Sequence, residues 1–114
     1  MDSYRLSKAW HLAHSVAIDV HALARELPKS DHYNIHEEIR IASARVPLTI
    51  EASTKKKSHE KLKHYKIARF AATELHDVLM LAREQQYIEK QVFTDLASRT
   101  IEAQQLLTSL IRSA

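Results

Sequence analysis

An antiparallel four-helix bundle of up-down-up-down order is the all-α fold this sequence predicts, and three observations carry it. The chain of 114 residues contains no glycine, so the left-handed turns of tight hairpins have no ready residue. It has only two prolines and no cysteine, which leaves long uninterrupted segments and no disulfide framework. Apolar residues then recur at steps of three and four in four successive stretches, the spacing of one helix stripe.

The first stretch places Leu6, Trp10, Ala13, Ala17, Val20, Ala24 and Leu27 on one stripe, and Pro28 stops it. The second, from about Asp31, carries Ile35, Ile39, Ala42, Val46 and Ile50, with Ser30 or Asp31 as its N-cap. Pro47 lies inside that pattern, so a kink or a break near residues 43 to 47 is expected. The third opens at Ser58 as N-cap and carries Leu62, Tyr65, Ala68, Ala72, Leu75, Leu79 and Ala82. From about Glu89 the fourth carries Val92, Leu96, Ala103, Leu107 and Leu110, with Thr100 interrupting the row. Short connections, near 28–31, 53–58 and 86–89, favour antiparallel neighbours within a single domain spanning 1–114.

A second apolar row runs beside the first on two of the helices. Leu12, Val16 and Leu23 form it on the first, and Ile67, Ala71, Val78 and Leu81 on the third. Rows of this length rarely stay exposed, so the sequence predicts an oligomer interface at Leu12, Val16, Leu23, Ile67, Val78 and Leu81, the alternative being a generous core within one bundle. Glu74 interrupts the second row and is expected either at the rim of a helix interface or paired with a cation such as Arg40 or Arg45 of the neighbouring helix.

Composition excludes much chemistry. No stretch approaches the roughly 18 apolar residues of a membrane span and the start has no signal-like apolar core, so a cytoplasmic protein is expected. A phosphate-binding glycine loop cannot form without glycine, and thiol catalysis cannot occur without cysteine. Eight histidines invite a metal reading: His32 with His36 and His11 with His14 have spacings that share a helix face. No Glu-x-x-His motif accompanies them, so no metal and no cofactor is expected. His14, beside a core position, is read as partly buried and hydrogen-bonded. Adjacent carboxylates such as Glu37 and Glu38 diverge by about 100° on a helix, which fits a solvated face and no acid–base pair. The chain is read as non-enzymatic.

Charge supplies the functional signal. Residues 40–69 hold nine Lys and Arg against two acids, although the whole chain is only +3. Arg40, Arg45, Lys55, Lys56, Lys57, Lys61, Lys63, Lys66 and Arg69 are therefore the expected nucleic-acid-binding residues, because clustered cations engage phosphates by releasing counterions, without reading sequence. Tyr65 could stack on a base, but its place on the core stripe predicts burial.

The run Ile39-Arg40-Ile41-Ala42-Ser43-Ala44-Arg45-Val46-Pro47-Leu48-Thr49-Ile50 resembles the signature of the four-helix-bundle proteins encoded by intervening sequences of bacterial 23S rRNA genes. Leu6, Trp10, Ala13, Leu27-Pro28, Ile67-Ala68, Glu74-Leu75, Ala82, Tyr87 and Leu110-Ile111 fit the same pattern. Leu48-Thr49 stands where the family usually has Ser-Asn, and Glu51-Ala52-Ser53 replaces Ala-Glu-Gly, which displaces the acid by one position and removes a helix-ending glycine. The resemblance implies an antiparallel bundle that assembles into a ring, commonly a pentamer, with a nucleic-acid role. It also implies a distant similarity to the accessory protein of diversity-generating retroelements, a basic pentameric bundle that binds nucleic acid and a reverse transcriptase. Together these readings lead to a homo-oligomeric scaffold that binds RNA or DNA through a basic rim. The alternative is a scaffold for another protein, in which the lysines are only solvated.

Overall fold

The computed structural model describes residues 2–114, and four helices account for about four-fifths of them: α1 (Asp2–Ala24), α2 (Ile35–Ser53), α3 (Ser58–Glu84) and α4 (Lys90–Ser113). Each helix packs on two neighbours, in the order α1–α2–α3–α4 and back to α1, while the diagonal pairs stay apart. The result is a four-sided rod of 43 × 22 × 19 Å. Its length agrees with the roughly 40 Å of a 27-residue α3 at 1.5 Å per residue.

Side-chain bonds between helices give the antiparallel register. Gln104 Nε2 donates to Thr73 Oγ1 at 2.8 Å and Arg69 Nη1 to Thr108 Oγ1 at 3.4 Å, so α4 descends as α3 rises. Lys8 pairs with Glu102 at 3.0 Å. Arg99 donates to Asp19 at 2.7 Å, to Asp95 at 2.9 Å and to Ser15 at 3.0 Å, which ties α1 to α4. Burial opposes the charge of Arg99, but its hydrogen bonds to Asp19 and Asp95 outweigh that effect and hold the guanidinium above its ordinary value.

One continuous core runs along the axis, and it is rich in small residues. Eleven of the 25 buried apolar residues among those described are alanines, which lets helix backbones approach toward the short end of the usual 8–10 Å range. Leucine and isoleucine fill the space between: Ile35, Ile39, Ile50, Leu75, Leu79, Leu107 and Leu110 are each at most 2% exposed. All five apolar positions expected on α2 are buried. On α1 the core face is turned slightly from expectation, with Ala9 and Val16 buried and Leu6 and Trp10 only half-buried. Val92 of α4 is exposed, whereas Thr100 is 2% exposed and belongs to the core. The Thr100 hydroxyl donates to Leu96 O at 2.8 Å; Ser43 and Ser53 likewise return to Arg40 O and Ile50 O, so the three buried hydroxyls are satisfied by the preceding turn.

The ends of the helices differ from the expected ones for local reasons. α2 begins at Ile35, four residues after Asp31. The Asp31 carboxylate first closes a turn, accepting from Tyr33 N at 2.7 Å and Ile35 N at 2.9 Å, and Asn34 at φ 53° occupies the left-handed region that asparagine tolerates. Lys57, not Ser58, is the N-cap of α3; Ser58 is its first helical residue. α2 runs through Pro47 without a break. His14, expected to be partly buried, is exposed and stacks on Trp10 with ring centroids 4.5 Å apart.

α3 ends in a Schellman motif, with Tyr87 N donating to Ala82 O at 3.0 Å and Gln86 N to Arg83 O at 2.9 Å. Gln86 takes φ 62° at the position where glycine is usual. A residue with a Cβ is disfavoured there by about 1–2 kcal/mol. Gln86→Gly is therefore expected to raise stability by up to about 1 kcal/mol, after the added freedom of the unfolded chain is subtracted, as read from the urea midpoint. Leu79→Ala removes a side chain at 0% exposure and is expected to cost about 2–5 kcal/mol. Leu48→Ala, at 61% exposure, should stay within about 0.5 kcal/mol of the parent.

Candidate nucleic-acid interface

The antiparallel order gathers the basic stretch at one end of the rod. The start of α1, the end of α2, the 54–57 connection, the start of α3 and the end of α4 meet there. α2 unwinds through a tightening turn, with Thr54 N to Glu51 O at 3.1 Å, Lys55 N to Ala52 O at 3.4 Å and Lys56 N to Ser53 O at 3.2 Å. These bonds leave Lys55, Lys56 and Lys57 outside the core with their side chains exposed. Over residues 55–69 seven cations face one acid, Glu60. Among the described residues none of the six lysines in this span forms an ion pair.

Helix geometry then divides the cluster. Lys63 and Lys66 are exposed, Lys61 is half-buried, and Arg69 leans across to Thr108 of α4. Tyr65 is buried at 8% exposure and belongs to the core. Arg40 and Arg45 lie apart from the lysines. Arg40 is near the start of α2, at the opposite end of the rod, and pairs with Glu37 at 2.9 Å. Arg45 pairs with Glu74 of α3 at 3.8 Å, one of the two partners expected from the sequence.

Two residues that one-helix periodicity passes over join the basic end. Arg112 stands one turn beyond Thr108 on α4, level with Lys66, and Phe70 follows Arg69 with 64% of its surface exposed. The 69-to-108 register brings Arg112 in, a relation that no pattern within a single helix contains.

The expected oligomer residues separate as well. Val16 is 0% exposed and belongs to the bundle's own core, because its row abuts Ala13 and Val20; it cannot meet another subunit. Leu23, Val78 and Leu81 are partly buried against the core and Leu12 is half-buried, while Ile67 is 46% exposed. Ile67 borders a shallow cavity of about 320 Å³ with Leu48, Arg45 and His64. Ile41 and Leu48 of α2 are exposed too, so one of the open apolar surfaces lies on the α2–α3 side, around the Arg45–Glu74 pair.

Among the described residues no three His, Cys, Asp or Glu side chains come together as a metal-binding group. No described helix is long and apolar enough to cross a membrane. No curated protein gives a significant match to the chain. The family model described as 23S rRNA-intervening sequence protein matches residues 5–109, from the first turns of α1 to the last turns of α4. The chain belongs to the 23S rRNA-intervening sequence protein family.

Proposed function

We propose that this protein is a non-enzymatic, homo-oligomeric bundle that binds RNA or DNA without sequence preference through its lysine-rich end. The carrying observation is the gathering of seven cations against one acid over residues 55–69 at a single end of the rod. Lysines held in ion pairs would be occupied by the fold; these six have no carboxylate partner among the described residues and stand ready for an external polyanion. Arg40 and Arg45 contribute little on this reading, since both are already paired.

The exposed stripe of Ile41, Leu48 and Ile67 supports self-association. Burying leucine-sized side chains yields about 1.5–3 kcal/mol each, enough across several repeated contacts to offset part of the association entropy. A closed ring, for which the family resemblance implies five subunits, brings equivalent basic ends to one face and multiplies the contacts to a single strand. The same stripe is the observation that favours the second reading, a scaffold for another protein with no nucleic-acid role.

Replacing Lys55, Lys56 and Lys57 together with Glu is expected to weaken binding to unrelated RNA and DNA sequences about equally. The slope of log K against log salt should become shallower by roughly 0.7–0.9 for each phosphate that the variant no longer neutralises. Unchanged affinity in the triple variant refutes the assignment, and absence of polyanion binding by the parent chain favours the protein scaffold.

Leu48→Asp combined with Ile67→Asp should dissociate the particle while circular dichroism stays helical, because both side chains are exposed in the subunit. Light scattering reads the mass. A monomeric parent at high micromolar concentration rules out self-association.

A further inference from the structure

A cavity of about 790 Å³ opens between α3 and α4 on the flank of the rod, beginning about two turns of α3 from the 54–57 connection. Its lining includes three cations, Lys66, Arg69 and Arg112, and no carboxylate. The geometry points to a binding groove for single-stranded nucleic acid, in which the cations hold phosphate and Phe70 stacks on a base. This inference rests on the nucleic-acid reading above and assigns it a strand type and a surface.

The order of side chains along the groove carries the argument. The register set by Arg69–Thr108 and Thr73–Gln104 places Lys66, Arg69 and Arg112 within about one turn of each other at the basic end. Phe70 comes next, then Thr73 with Gln104, and Ile101 closes the far side. From Lys66 to Phe70 is about 6 Å along the axis at 1.5 Å per residue, a step that separates a phosphate site from a stacking site. The polar and apolar parts of one nucleotide are met in that order.

The fold does not account for Phe70. It is 64% exposed, Ile101 is 40% exposed, and neither belongs to the core. Arg69 is steadied by the Thr108 hydroxyl at 3.4 Å without a carboxylate to neutralise it. An apolar partner surface laid over this groove would strip water from three unpaired cations, which disfavours it. A duplex offers phosphates but keeps its bases stacked, so Phe70 could reach none; an unpaired strand offers both, and base–aromatic stacking tolerates any sequence.

The test measures equilibrium binding of a labelled mixed-sequence oligonucleotide of about 20 nucleotides, single-stranded and as its duplex, at two salt concentrations. Phe70→Ala and Phe70→Leu are expected to lower single-strand affinity roughly 5- to 100-fold and to leave duplex affinity within about twofold, while Phe70→Tyr keeps both. Arg69→Gln with Arg112→Gln should also weaken the single strand and flatten its salt dependence. Unchanged single-strand affinity in Phe70→Ala, or an equal loss for strand and duplex, overturns the groove and leaves the lysine assignment standing. Loss of affinity that accompanies a change in particle mass assigns Phe70 to the interface between subunits and overturns the groove as well. If the parent chain binds neither probe, the nucleic-acid reading fails together with this inference.

Discussion

Two of the three connections between helices are too short for the helices they join to run parallel, and much of the architecture depends on that constraint. Residues 54–57 join α2 to α3 and residues 85–89 join α3 to α4. Four or five extended residues reach about 13–18 Å, well short of the roughly 40 Å needed to return along a helix of this length. Both of these reversals therefore happen at the end they start from. A basic run placed at one reversal in the sequence becomes a basic end in three dimensions, and the end of α4 delivers Arg112 to the same place.

Alanine allows this arrangement to close. Alternating small and large positions along α1 and α3, such as Ala13 and Ala17 beside Val16 and Val20, or Ala68 and Ala72 beside Leu75 and Leu79, let side chains from one helix enter the gaps of the next. The absence of glycine carries a local cost instead. Asn34 and Gln86 adopt left-handed backbone angles that glycine would adopt freely. Both are offset by surrounding bonds: the Asp31 carboxylate before α2 and the two reverse hydrogen bonds after α3.

Periodicity makes the core of α2 and α3 legible because their large apolar residues lie on one row, and Ile35, Ile39, Val46, Ile50, Leu75 and Leu79 all sit where the spacing places them. It is ambiguous on α1, where alanines flank the row on both sides. Rows through Ala13 and Ala17 and through Ala9 and Val16 are about equally apolar, and only packing against α2 and α4 decides that Val16 faces inward. The start of α2 falls later than the spacing suggests because Asp31 caps a turn before it serves a helix, a bond that looks the same in sequence. The lysine cluster is fully visible in the chain, and its pairing state is not. Arg45 finds Glu74 across a helix boundary, whereas Lys55, Lys56 and Lys57 meet no acid among the described residues. Phe70 and Arg112 acquire meaning only through the α3–α4 register.

The placement of the lysines is not one that helix stability asks for. Lys55 and Lys56 follow the C-terminus of α2, where positive charge is favourable, but Lys57 is the N-cap of α3 and makes no side-chain capping bond. Lys61 and Lys63 extend the positive charge into the first turns of that helix, with Glu60 the single acid there. Two helix N-termini and two C-termini meet at this end, so the backbone dipoles largely cancel and the field comes from the side chains. Exposed like charges within a Debye length of about 8–10 Å repel one another at moderate salt. A fold selected for its own stability would intersperse carboxylates, as α1 and α4 do with Lys8–Glu102 and Asp19–Arg99–Asp95. Like-charge repulsion among uncompensated lysines opposes the folded subunit slightly, and any polyanion that bound only the folded state would offset that cost.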